Sequence, residues 1–142
     1  MSSSTEFGGA QPGDGEPYVL PLQAVVVDPF RPPASPWGPG NRGWEFGNPG
    51  GQEVVAVGAG TVAWAGWVGG RGVVTIRHAD GILSSVTGLS AVAVRRGVAV
   101  RRGSPIGTAM AHLHLGFRFD GDYIDPAIVY GLAHHAVLVG MP

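Results

Sequence analysis

The chain has no cysteine and no lysine, and all nine of its basic residues are arginine. Without cysteine there are no disulfides and no thiolate metal sites, and thiols say nothing about the redox compartment. Charge of either sign is scarce, 13% of residues with a formal net charge of −1. The arginines are scattered apart from the pairs Arg95-Arg96 and Arg101-Arg102, so there is no basic stripe of the kind that holds a phosphate backbone, and nucleic acid is not an expected partner. No run approaches the roughly 18 apolar residues of a membrane span. Residues 1–17 have neither the basic start nor the apolar stretch of a signal peptide, so no export signal is visible in this sequence.

Glycine (25) and proline (12) together exceed a quarter of the 142 residues, and 44% of the chain is apolar. That length and apolar content suit one domain with a real core. Residues 1–17 are mostly Ser, Gly, Pro and acid, too polar to offset the entropy of ordering, and are expected to form a disordered leader. Residues 18–131 are the expected domain and 132–142 a C-terminal tail. The segments 18–22 and 24–30 read as extended. They lead into a long loop from Arg31 to Arg42 in which Pro32, Pro33, Pro36 and Pro39 forbid regular structure.

From Val54 the pattern becomes regular. β-branched runs at 54–57, 60–65, 72–77 and 82–86 are separated by glycine, as strands of a meander would be. The hexads 92–97 (Val-Ala-Val-Arg-Arg-Gly) and 98–103 repeat each other and predict a bulged strand pair. A further strand is expected at 111–119, a hairpin at Asp120-Gly121-Asp122 and a helical turn at 126–130. The fold class is therefore all-β, a small antiparallel sheet with a loop-rimmed groove.

The strand 111–119 carries the most chemistry. His112 and His114 are two residues apart, so both project from one face, about 7 Å apart along the strand. Catalytic zinc is held by three imidazole or carboxylate ligands with water in the fourth place, and this pair could supply part of such a set. The same pair could equally be two histidines without metal. His134 and His135 are adjacent, would point to opposite faces of a strand and do not easily share an ion.

The string Ala111-His-Leu-His-Leu-Gly-Phe-Arg118 followed by Asp120-Gly-Asp-Tyr-Ile-Asp-Pro126 resembles the C-terminal motif of the lysostaphin/LytM zinc peptidases. Upstream, Gly60-Thr-Val, the stretch Gly72 to Gly81 and the stretch Val98 to Gly107 resemble that family's core in the same order, so the likeness spans about residues 18–131. The resemblance implies His114 as a metal ligand and His112 as a catalytic histidine. The family's Gly-His-x-Gly-x-Asp segment falls on Gly40-Asn41-Arg42-Gly43-Trp44-Glu45, which places Asn41 and Glu45 at the other two ligand positions. Glutamate lies one methylene further from the backbone than aspartate, and asparagine is a poor zinc donor. The family's second catalytic histidine falls on Gly88.

By resemblance, then, the cofactor is Zn2+, weakly held or absent, and the partner is peptidoglycan or its peptide cross-links. The setting is the cell envelope or extracellular space. Trp37 and Trp44 flank Asn41 and, with His78, are candidates for lining the substrate groove. His78 has the alternative of a turn histidine bonded to backbone, and Trp64, in a strand, is expected in the core. Two functions follow. One is a zinc endopeptidase weakened by its substitutions, and the other a non-catalytic peptidoglycan-binding or regulatory module. A biotinyl or lipoyl carrier, which shares the valine-glycine strand rhythm, needs a modified lysine that is not there.

Overall fold

The computed structural model describes residues 17–35 and 37–131, so the leader up to residue 16, Pro36, and the tail with its His134-His135 pair lie outside the described residues. The described chain runs β1 (Val25–Asp28), β2 (Trp44–Gly47), β3 (Glu53–Val55), β4 (Gly60–Val68), β5 (Arg71–Arg77), β6 (Ile82–Val92), β7 (Ala99–Val100), β8 (Pro105–Phe119), β9 (Asp122–Ile124) and α1 (Pro126–Val129). The strands form one sheet in the order β1-β2-β8-β6-β5-β4-β7, with β3 and β9 paired to β8. Each neighbouring pair is antiparallel. The expected meander is β4-β5-β6, and its strands are longer than the β-branched runs alone suggest.

Strand alternation divides the sheet into two faces. Leu113, Leu115 and Phe117 of β8, Phe46 of β2, and Val74 and Ile76 of β5 point into the core and are fully or almost fully buried. Each such side chain contributes about 1.5–3 kcal/mol by leaving water. The segment 17–24 and α1 cover part of this core. Tyr130 lies parallel to Trp44, with ring centroids 5.6 Å apart, and its hydroxyl donates to the Val19 carbonyl at 2.7 Å. Asp125 caps α1 by accepting the Ala127 N–H at 2.9 Å, with Pro126 in the first helical position, where its missing donor costs nothing.

The hexad repeat is not a strand pair. Apart from Val92, the last residue of β6, only Ala99–Val100 is strand, and each copy instead supplies a tight turn. Val98 N–H donates to the Arg95 carbonyl and Ser104 N–H to the Arg101 carbonyl, while the glycine amides of the two copies donate to Val62 and Ala56. Trp64 also departs from expectation. A bulge between Val62 and Trp64 moves the register by one residue, so Val62 pairs with buried Ile76 and Trp64 with Thr75 on the other face. A one-residue slip transfers a side chain across the sheet, and Trp64 is 40% exposed.

Candidate functional site

The outer face of the sheet carries the groove. Glu45 of β2 pairs in register with His114 of β8, His114 with Thr87 of β6, and Thr87 with Val73 of β5. One step along, Gly116, Ser85 and Thr75 stand in a second row, and Thr75 and Ser85 share a hydroxyl hydrogen bond of 2.8 Å. The groove has a volume of about 470 Å³. Its walls include Arg42, Leu83, Arg118 and Tyr123, with Ser85, Thr87 and His114 on its floor.

His114 sits in a narrow slot between two glycines. A Cβ at Gly43 would come within 2.8 Å of His114 Nε2, and one at Gly116 within 3.5 Å. Only a residue without a side chain at position 43 lets the loop pass this close to the imidazole. The other ring nitrogen, Nδ1, is 2.5 Å from Glu45 Oε2, an ion-pair-length contact across the β2–β8 ladder. His112 stands on the same side of β8, two residues away and exposed, opposite Gly47.

Asn41 is buried, 7% exposed, and its side chain is fully engaged. Nδ2 donates to the carbonyls of Asp28 (3.1 Å) and Pro29 (2.9 Å), and Oδ1 accepts from Gly43 N–H at 3.3 Å. Its backbone pairs in both directions with Arg31 at 2.8 Å. Asn41 thus closes the long loop into a ring, holding its end against the end of β1. Beside it, Asp28 pairs with Arg31, which keeps that carboxyl below its ordinary range.

Gly88 is a bulge in β6, where the ladder to β8 jumps from Thr87↔His114 to Leu89↔Ala109. Its φ is +108°, and a Cβ there would lie 2.3 Å from the His112 carbonyl oxygen. No side chain fits at this position without moving the backbone.

The remaining sequence candidates are dispersed. Trp37 is 91% exposed on the loop, and Trp44 is 8% exposed on the core side of β2, against Tyr130. His78 is buried beneath Tyr18, with ring centroids 5.0 Å apart. Because a carbonyl only accepts, His78 Nδ1–H donates to Ala59 at 2.8 Å, and Nε2 accepts from the Ser84 hydroxyl at 2.8 Å. Burial, the largest influence, moves the His78 pKa below its ordinary value, against a smaller upward pull from the Ala59 bond.

Sequence reasoning missed three wall residues, Arg42, Arg118 and Tyr123, although two of them could have been found. Arg118 follows His114 by two alternations, and the two-residue turn Asp120-Gly121 sets Tyr123 directly opposite Arg118. Both arginine guanidinium carbons lie over the Tyr123 ring, each 5.9 Å from its centroid.

The donor set does not suit zinc. Glu45 and His114 bond each other, and the Asn41 amide aims its donor at two carbonyls while its oxygen is held by Gly43. Two donors remain where a catalytic zinc takes three. Among the described residues no group of three or more His, Cys, Asp or Glu could hold a metal ion. No helix among them is long and apolar enough to cross a membrane.

Residues 39–126 match peptidase family M23. The uncharacterized protein Rv2891 of Mycobacterium tuberculosis is 36% identical over 121 residues, covering 69% of this chain and 48% of that protein. The chain thus spans about half the length of the curated relatives it matches. Among solved structures, the SpoIIQ–SpoIIIAH pore-forming complex includes a chain similar in fold, with a TM-score of 0.69 at 23% identity, covering 80% of this chain and 90% of that one. Lysostaphin in solution is similar with a TM-score of 0.61 at 24% identity, covering 72% and 49%.

Proposed function

Because this chain belongs to peptidase family M23, we propose that it is a member that keeps the peptide groove and has given up efficient zinc-dependent hydrolysis. In this reading the domain binds peptidoglycan or its peptide cross-links in the cell envelope or outside the cell, without resident zinc. The observation that carries the reading is the fate of the expected hydrolytic set. Glu45 and His114 satisfy each other, Asn41 is committed to closing its loop, and Gly88 admits no side chain.

Magnitudes support binding over catalysis. Losing a ligand should cost more than the roughly 10–100-fold in affinity that disturbing a ligand's supporting bonds costs. Losing one general acid or base removes about 10²–10⁴ in rate. With both gone, His112 has no polarised water to assist, and in this reading it contacts bound peptide at the groove's edge. The floor of Ser85, Thr87 and His114 offers hydrogen bonds to an extended peptide backbone, and Gly40 and Gly116 add no side chain to obstruct one.

The deciding experiment combines metal analysis with binding and turnover. After dialysis the purified protein should hold far less than one zinc per chain, should sediment with peptidoglycan sacculi, and should release no new amino groups from them. Stoichiometric zinc that survives dialysis, together with amino-group release, would return the domain to the active peptidases.

A further inference from the structure

We propose that the outward face of Trp64 is a sugar-stacking platform beside the groove, which takes a ring of the glycan strand while the groove holds the peptide joined to it. The proposal rests on the reading that the groove takes cell-wall peptide, and adds a carbohydrate contact to it.

Three observations build the platform. Strand alternation from buried Val62 would send the side chain of residue 64 into the core, and the bulge between Val62 and Trp64 re-aims it onto the groove face. Gly66, the next residue on that face, lies beneath the indole. A Cβ built there would be 2.6 Å from Cη2, 3.0 Å from Cζ2 and 3.2 Å from Cζ3 of Trp64. A point beyond the ring edge would be much further from the two neighbouring carbons than from Cη2, whereas a point above Cη2 is only slightly further from them. The distances follow the second pattern, so the ring lays one face on the sheet at Gly66 and turns the other outward, leaving the residue 40% exposed. Finally, β4 is joined to β7 only at Gly60 and Thr61, so no named strand flanks Trp64 on its outer side. Among the described residues the indole makes no aromatic contact, cation contact or hydrogen bond.

The platform is continuous with the groove. Trp64 pairs with Thr75 of β5, and Thr75 with Ser85 of β6, so the ring stands two strand spacings, about 10 Å, from the groove floor. Between ring and floor the Thr75 and Ser85 hydroxyls bond each other at 2.8 Å. A hydroxyl has one donor and two acceptor positions, so the bonded pair still offers a ligand both kinds. A flat apolar face with hydroxyls at its margin is complementary to a pyranose ring, which carries C–H groups on its faces and hydroxyls around its rim. An apolar peptide side chain is held by enclosure in a pocket, whereas Trp64 presents an open plane. In peptidoglycan the peptide hangs from a sugar, so a peptide lying on Ser85 brings a sugar ring within reach of Trp64.

The test uses the full chain and two soluble probes, a disaccharide-peptide prepared from bacterial walls and the same stem peptide without its sugars. Calorimetry should show the disaccharide-peptide binding about tenfold or more tightly, the scale of an aromatic contact made on binding. Trp64→Ala should bring it down to the level of the free stem while leaving the free stem's own affinity unchanged, and Trp64→Phe should keep part of the difference. Trp67→Ala, which by alternation alters the opposite face of β4, should keep all of it. Circular dichroism on each variant checks that the fold is retained. A disaccharide-peptide that binds the unaltered protein no more tightly than the free stem overturns the proposal alone, as does a preference that survives in Trp64→Ala. Failure of both probes, and of sacculi, removes the peptide reading and this proposal with it.

Discussion

At the scale of single residues, the site is decided by what each polar group already holds. Asn41, which the resemblance puts at a metal-ligand position, closes its own loop. An imidazole has two ring nitrogens and cannot reproduce one oxygen accepting from Gly43 while one nitrogen donates to two carbonyls. Asn41→His is therefore expected to lower stability by about 1–3 kcal/mol, the usual cost of leaving buried polar partners unmet, measured by urea denaturation. An unchanged midpoint would mean that the loop closes without this side chain.

His78 gives a second prediction at this scale. Its pKa in the folded protein is below the ordinary value of 6.5, so below that pH the unfolded chain takes up protons that the folded one refuses. This contribution to stability is complete above about 6.5 and is lost as pH falls toward the lowered folded value. Thermal unfolding of the native protein should shift downward between pH 7.5 and pH 5 more than that of His78→Gln. Parallel shifts would place the pH dependence in other groups.

At the scale of elements, bulges explain both what was legible in the sequence and what was not. The part of β8 through His112 and His114, the Asp120-Gly121 hairpin and the helical turn after Asp125 were visible in the sequence, whereas the start of β8, Pro105 to Met110, was not, its Ser104-Pro105 pair reading as a turn. Where alternation was broken, sequence reasoning failed. The slip at Val62/Trp64 turned a tryptophan expected in the core onto the groove face, and the two copies of Val-Ala-Val-Arg-Arg-Gly form turns whose glycine amides donate to Val62 in β4 and to Ala56 just after β3. Trp44 lies in the loop by sequence but on the core side of β2 by register, a difference settled only by which strand it pairs with. The unbroken part of the pattern should carry the stability. Leu115→Ala on β8, fully buried, should cost about 2–5 kcal/mol, while Ser90→Ala on the exposed part of β6 should stay within about 0.5 kcal/mol. Comparable losses at both positions would contradict the assignment of the two faces.

At the scale of the whole molecule, ligand linkage offers a test of the zinc-free reading that does not depend on catalysis. A folded protein that bound zinc with the ion at 100 times its dissociation constant would gain about 2.7 kcal/mol, a shift in melting temperature of several degrees for a domain this size. Adding zinc to chelator-treated protein is expected to leave the melting temperature unchanged. A rise that saturates with zinc would show a site assembled from groups beyond Glu45 and His114.

The bulge at Gly88 makes this point of the sheet all-or-none in its tolerance. A backbone at φ +108° with a neighbouring carbonyl 2.3 Å from the place of a Cβ admits even a methyl group only if β6 and β8 change their pairing, so the two longest strands are locked together here by the absence of a side chain.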